Sequence, residues 1–211
     1  MKYKTCTDYW LNRDDLSLRG DFEKMYQDIE DPWGCHQGSG SLNNRIFCHL
    51  LFDDKKYPSI LDIGCGLGDL TDLFRRCNEG GDVTGWDISP TAVEKAQERF
   101  SEIRFESKNI LTDPIDQKYD LITISEILWY ILDDLDDVFK KLRTGLKNGG
   151  TLAIHQYFPF EQEFAKEILH QIEGFEDFVE KDKRFAFEQK IVSYVGDDRV
   201  LLALLKLKEE A

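Results

Sequence analysis

The chain has 211 residues, 41 acidic against 27 basic, for a formal net charge of −14. That length suits one α/β domain with a covered core. The acid excess repels phosphate backbones and anionic membranes, so neither nucleic acid nor a membrane is expected as a partner. No apolar run approaches the roughly 18 residues of a spanning helix, and the segment 1–8 lacks the apolar core of a signal peptide, so a cytoplasmic monomer or homodimer is expected. The five cysteines include no C-x-x-C pair and are expected to stay thiols. Cys35-His36 and Cys48-His49 supply zinc-type ligands. Neighbours on a helix point about 100° apart, however, so no metal is expected.

In chain order, residues 1–58 are aromatic and helical in patches, broken by Asp31-Pro-Trp-Gly34 and Gly38-Ser-Gly40. They read as a helical cap on a domain spanning 59–211. "SILDIG" (59–64) reads as a buried strand, and Leu70, Leu73, Phe74 and Cys77 mark one face of the following helix. "DVTGWD" (82–87) is a second strand. A helix over 89–100 follows, with Ser89 at the N-cap and Pro90 at its first position. Strands are predicted at 103–106, 119–125 and 151–155, with a helix from Leu135 to the Asn148-Gly-Gly150 turn between the last two. A helix is expected over 161–173, ended by Gly174. Strands at 185–195 and 199–207 form a closing hairpin. The last contains Val200-Leu-Leu-Ala-Leu-Leu205, an uninterrupted apolar run that demands cover on both faces and hence a place inside the sheet. The pattern predicts a Rossmann-like three-layer α/β sandwich. Its seven-stranded sheet is mostly parallel, with a C-terminal antiparallel hairpin and an N-terminal helical cap.

In such sheets ligands bind beyond the carboxyl ends of the strands, where strand order reverses. The first strand ends in Gly64-Cys-Gly-Leu-Gly68, and glycines there let a ligand approach the backbone. The spacing is G-x-G-x-G, one residue short of the dinucleotide pattern. Asp87 ends the second strand, where a carboxylate can accept two hydrogen bonds from a ribose diol. Asn109 and Ile110 follow the third strand, within reach of an adenine edge. Ser125-Glu-Ile-Leu-Trp-Tyr130 follows the fourth, and its polar residues are placed to line the reactive part of a pocket walled by Trp129 and Tyr130.

"ILDIGCGLGDLT", Asp87 in "GWDIS", "YDLITISEILWYI" and "LRTGLKNGGTLAI" together resemble the ordered motifs of class I S-adenosylmethionine-dependent methyltransferases over residues 59–155. The resemblance implies S-adenosyl-L-methionine as cofactor. Asp62, Gly64 and Gly66 would hold its methionine part, Asp87 with Ile88 the ribose side, Asn109 with Ile110 the adenine, and Ser125 the pocket beside it. The family more often has Asp at position 109. "MYQDIEDPWG" (25–34), the helix bearing Arg45 and "SEILWYI" are similar to nodulation-protein-S-like N-methyltransferases, which act on amino-sugar acceptors. In that setting Arg45 would pair with the cofactor carboxylate and Trp33 would cover the pocket.

Methyl transfer from a sulfonium needs alignment, exclusion of water and, for an amine or hydroxyl, a base. Glu126 is the first candidate base and His155 the second, with Tyr157 placed to orient a small-molecule acceptor. Three other readings stay open: a protein methyltransferase, a cofactor-binding protein without catalysis, and a nicotinamide-dependent oxidoreductase. The last would require a glycine spacing and a substrate domain that the chain lacks.

Overall fold

The computed structural model describes residues 5–34 and 42–208; Cys35, His36 and Gly38–Gly40 lie outside them. The strands are β1 (Ser59–Ile63), β2 (Asp82–Asp87), β3 (Arg104–Ser107), β4 (Tyr119–Ser125), β5 (Leu146–Phe158), β6 (Phe185–Val195) and β7 (Asp198–Leu207). They form one seven-stranded sheet in the order β3-β2-β1-β4-β5-β7-β6. Pairing is parallel from β3 through β5, and β7 runs antiparallel to both β5 and β6. β7 is therefore interior, as its apolar run requires. Leu201, Ala203 and Leu205 enter the core on one face, and Val200, Leu202 and Leu204 enter that on the other.

The helices are α1 (Thr7–Trp10), α2 (Phe22–Asp28), α3 (Leu42–Phe52), α4 (Asp69–Cys77), α5 (Pro90–Arg99), α6 (Leu135–Gly145) and α7 (Gln171–Lys181). α6 and α7 cover one face of the sheet. Phe139, fully buried, meets the rings of Phe175, Phe178 and Phe185 at centroid distances of 6.3, 4.9 and 5.6 Å, each edge-on. α3 and α4 cover the opposite face through Phe47, Leu51, Phe52 and Phe74. The first 58 residues thus divide: α3 belongs to the sheet's core, and the cap proper comprises α1 and α2. Ser89 caps α5, its Oγ accepting from Ala92 N, with Pro90 at the first position.

Two expected helices are corrected. The helix assigned to 161–173 forms instead at Gln171–Lys181, with Gly174 inside it. Its buried positions, Ile172, Phe175 and Val179, carry the true period. Residues ahead of it are held in turns, where the Gln162 amide serves Phe164 O, Leu169 O and Gln171 N, and Ala165 and Gln171 take left-handed φ values of 55° and 60°. α6 stops at Gly145, three residues before the expected Asn148, because Leu146 already pairs with Tyr119 at the start of β5.

No helix among the described residues is long and apolar enough to cross a membrane. Phe139→Ala is expected to cost about 3–5 kcal/mol, read as a lowered urea midpoint with an unchanged slope.

Candidate active site

The carboxyl edge of the sheet is organised by the turn leaving β1. Gly64 and Cys65 N–H both donate to Trp86 O (2.7 and 2.9 Å), and Gly66 N–H donates to Asp87 Oδ2 (2.9 Å). The loop is thereby stitched to the end of β2. Gly64 (φ 79°) and Gly66 (φ 52°) occupy the left-handed region. A Cβ at Gly64 would lie 2.3 Å from Ile127 Cγ2, and one at Gly66 would lie 2.8 Å from the Tyr26 hydroxyl. Both backbone segments are thus bare and closely overhung.

Asp62 sits under this loop rather than in the cleft, a correction to its expected role. It is 1% exposed, and its two oxygens accept from Thr71 Oγ1 (2.6 Å) and Thr123 Oγ1 (2.7 Å), joining β1 to α4 and β4. The loop's far end is clamped by Arg99, which donates to Asp69 through both Nη atoms (2.7 and 2.6 Å) and to Leu67 O.

Asp87 lies where expected. Oδ1 accepts from Ser89 N (2.9 Å) and Oδ2 from Gly66 N, which leaves a further lone pair on each oxygen. Burial raises this carboxyl to about 6 against the pull of those two N–H bonds. Ile88, next to it, is exposed, and so is Leu111, which sequence reasoning passed over. Lys108 N–H donates to Asp87 O (2.9 Å) and brings the β3 exit alongside. One lone pair of Asn109 Oδ1 is taken by Leu111 N (2.9 Å) and the Asn109 N–H by Asp113 Oδ2, so the amide shapes this turn as well as edging the cleft. Ile110 is buried, and its carbonyl accepts from Lys141 Nζ.

At the β4 exit, Glu126 adopts a left-handed φ of 58°, and its N–H donates to His155 O (2.8 Å). Such a conformation is uncommon in a non-glycine residue and persists where the surroundings enforce it. Oε2 is held by Tyr157 N (3.1 Å) and by Gln156 Nε2 (3.1 Å). Gln156 is fully buried, and its Oε1 accepts from Leu128 N (3.0 Å). It is a positioning residue that the sequence did not single out. The Glu126 side chain is 47% accessible, yet protein encloses it on the sheet side; burial raises its carboxyl to about 7 against the lowering bond from Tyr157 N. His155 Nε2 lies 3.6 Å from Glu126 Oε1, and burial lowers this imidazole to about 4. His155 is therefore neutral at neutral pH, and the approach is not an ion pair. Two buried polar atoms here, Ser125 Oγ and His155 Nδ1, have no hydrogen-bond partner among the described residues.

The aromatic residues separate. Trp129 is a core residue, not a pocket wall: it is 5% exposed, edge-on to Phe158 and Phe164, with Nε1 donating to Tyr157 O (3.2 Å). Tyr130 packs edge-on under Trp10 and Phe22 of the cap, and burial, reinforced by the nearby Glu126 charge, raises its hydroxyl. The Tyr157 hydroxyl is committed to Asp198. Trp33 is 41% exposed, and its Nε1 donates to the Tyr26 hydroxyl (2.9 Å), placing the cap above Gly66. Arg45 is exposed on α3, two residues before Phe47, whose ring lies 5.4 Å from that of His155. The cap is fastened to α5 by Glu23, which accepts from Ser89 Oγ, Thr91 Oγ1 and Thr91 N.

A glycine turn at the end of β1, a buried carboxylate at the end of β2 and a reversed final strand are features of a Rossmann-like α/β nucleotide-binding fold. Residues 61–152 match the family described as a methyltransferase domain. Malonyl-[acyl-carrier protein] O-methyltransferase of Acetivibrio thermocellus is 33% identical over 177 residues, 67% of this chain and 62% of that relative. Nodulation protein S of Azorhizobium caulinodans is 28% identical over 126 residues, 57% of this chain and 56% of that protein. This chain thus spans less than two thirds of the length of either relative. The crystal structure of the N-methyltransferase NodS from Bradyrhizobium japonicum with S-adenosyl-L-homocysteine superposes with a TM-score of 0.68 at 18% identity, covering 86% of this chain and 94% of that one. Together these matches support a class I S-adenosylmethionine-dependent methyltransferase, and structural neighbours of that kind hold S-adenosylmethionine or S-adenosylhomocysteine.

The residues present fit that cofactor: spare lone pairs on Asp87 and an orphaned, buried Ser125 hydroxyl stand at the strand ends on either side of the glycine turn. Asp87→Ala is expected to weaken S-adenosylhomocysteine binding by about 100-fold or more, since hydrogen bonds to a charged acceptor contribute about 1.5–3 kcal/mol each; titration calorimetry measures this. A protonated carboxyl accepts poorly, so wild-type affinity should fall as pH drops through about 6, and Asp87→Asn should lose that pH dependence.

Proposed function

We propose that the chain transfers a methyl group from S-adenosylmethionine to a nitrogen or oxygen of a small-molecule acceptor. The single observation that carries this reading is the Glu126 carboxylate, anchored through one oxygen and open through the other, at the strand end beside the glycine cradle. The bound cofactor supplies an electrophilic methyl on a good neutral leaving group. Gly64 and Gly66 provide the close backbone approach for its methionine part, and the free lone pairs of Asp87 accept the ribose hydroxyls. Ile88 and Leu111 offer apolar surface at the base edge. Arg45, exposed on α3, is assigned to the cofactor carboxylate in this reading.

Glu126 is the base in this reading. Oε2 is fixed by Gln156 and Tyr157, so Oε1 takes the proton from the acceptor as that atom attacks the methyl carbon. A carboxyl titrating near 7 is matched to proton transfer at neutral pH. His155, neutral and next to Oε1, keeps the site free of a competing positive charge. The cap, with Trp33 and Tyr26 above the glycine loop and Tyr130 under Trp10 and Phe22, excludes water from the methyl path. Trp129 and Tyr157 serve the wall from within, by packing and by the Asp198 bond.

Release of S-adenosylhomocysteine from a panel of amine and hydroxyl acceptors tests the proposal, and failure to bind S-adenosylhomocysteine at all overturns it. Turnover should rise with pH through about 7 as Glu126 ionises. Glu126→Gln should retain cofactor binding, lose about 10²–10⁴-fold in turnover and flatten the pH profile. Undiminished turnover in that variant would remove Glu126 from the role of base.

A further inference from the structure

A cavity of about 730 Å³ opens on the same carboxyl edge, beyond β5, away from the glycine loop. Its walls include Phe160, Gln171, Glu173, Tyr194, Asp197 and Arg199. Arg199 pairs with Phe158 across β5 and β7, and with Tyr194 across β6 and β7. The cavity therefore stands two to three strand spacings from Glu126 on β4, roughly 10–15 Å. We infer that this cavity is a subsite for the part of the acceptor remote from the methylated atom, and that it takes a protonated organic amine carried on an apolar or ring-bearing group. The inference rests on the methyltransferase reading above, and it adds the chemistry of the acceptor.

The lining decides the ligand's charge. The charge of Arg199 is already matched within the wall, because Nη1 and Nη2 donate to Glu173 Oε1 and Oε2 (2.6 and 2.9 Å) and Nη2 also donates to Gln171 Oε1 (3.0 Å). This pairing holds the Glu173 carboxyl at about 2, so the couple is spent internally at any physiological pH. What remains is Asp197, exposed at the hairpin tip and in no ion pair among the described residues, beside His170. Two carboxylates thus stand against one guanidinium. Phe160 and Tyr194 are 66% and 70% exposed, aromatic surface that a lone soluble chain has no packing reason to present at a cavity mouth. Ring faces with a nearby carboxylate suit an ammonium group through cation–π and charge attraction. A polycarboxylate would meet repulsion from Asp197 and would have to compete with Glu173 for Arg199.

The walls are built rigidly. Asp198 accepts from Phe160 N (2.8 Å) and from the Tyr157 hydroxyl, pinning the aromatic loop to the hairpin. Gln171, at a left-handed φ of 60°, donates from Nε2 to Pro159 O (2.6 Å) and from its N–H to Gln162 Oε1 (2.8 Å). Strain of this kind persists where the surroundings enforce it. Through Tyr157, whose N–H also holds Glu126 Oε2, the cavity wall and the proposed base share one strand end.

The test uses the full chain and three matched probes: 2-phenylethylamine, 2-phenylethanol and 3-phenylpropionate, followed by saturation-transfer NMR at pH 7. The amine should give at least a threefold stronger signal than the carboxylate. Phe160→Ala and Tyr194→Ala should each reduce it at least threefold, and Asp197→Asn should erase the preference for amine over alcohol. A propionate signal equal to the amine's, or a preference that survives Asp197→Asn, overturns the proposal. Calorimetry with S-adenosylhomocysteine on the same samples separates the two readings. Cofactor binding without probe selectivity removes the subsite alone, whereas absent cofactor binding removes the methyltransferase reading whatever the probes show.

Discussion

The three N–H bonds that tie the glycine turn to the end of β2 are the constraint on which the rest of the carboxyl edge depends. Two N–H groups share the Trp86 carbonyl and a third reaches Asp87, so the turn and the ribose-type carboxylate cannot move separately. The turn has no room to relax outward, because Ile127 overhangs Gly64 and the Tyr26 hydroxyl overhangs Gly66. From beneath, the sealed Asp62 carboxylate binds two threonine hydroxyls on separate elements. Burial raises that carboxyl while both hydroxyl bonds oppose the shift, so the group is tolerated only because its oxygens are satisfied. Strand β1, helix α4, strand β4 and the cap therefore meet at one rigid backbone segment.

Rigidity at this edge has an electrostatic counterpart. Burial displaces three groups along the same row of strand ends: Asp87 up to about 6, Glu126 up to about 7, His155 down to about 4. Their separated values match the roles proposed for them. Asp87 is ionised at neutral pH and can accept from hydroxyls. Glu126 is poised between its two forms and can exchange a proton. His155 stays neutral and adds no charge where a cationic methyl donor must bind.

Much of this was legible in the chain because each signal was local. Short apolar runs marked the buried strands, the Ser89-Pro90 pair marked a helix start, and the uninterrupted Val200–Leu205 run placed β7 inside the sheet. Glycine spacing and Asp87 marked the turn for the same reason: backbone conformation is written into single residues. What escaped is what depends on partners far apart in sequence. Gln156 matters because it links Glu126 and Leu128 across two strands, and no property of a lone glutamine announces that. Asp62 looked like a ligand group until its two hydroxyl donors appeared, and Trp129 looked like a wall until Phe158 and Phe164 enclosed it. The misplaced helix had a different cause. Gly174 suggested a stop, but the loop before it is held by the Gln162 amide, and helical packing begins only where Ile172 and Phe175 reach the core.

The division of labour along the chain follows from this geometry. In the proposed reading the groups assigned to the adenosyl half, apart from Arg45, lie between Gly64 and Ser125, and those assigned to acceptor space come from before residue 34 and after residue 155: the cap on one side, the hairpin and its preceding loop on the other. Those flanks are tied to the first half by Glu23 at Ser89 and Thr91, by Lys95 at Tyr26 O, by Tyr26 over Gly66, and by Gln156 with Tyr157 at Glu126. Glu126 belongs to both, since its backbone lies in the first half and its carboxylate is aimed by the second. A residue in that position must be held in an unfavourable conformation by both, and its left-handed φ is the mark of that double hold.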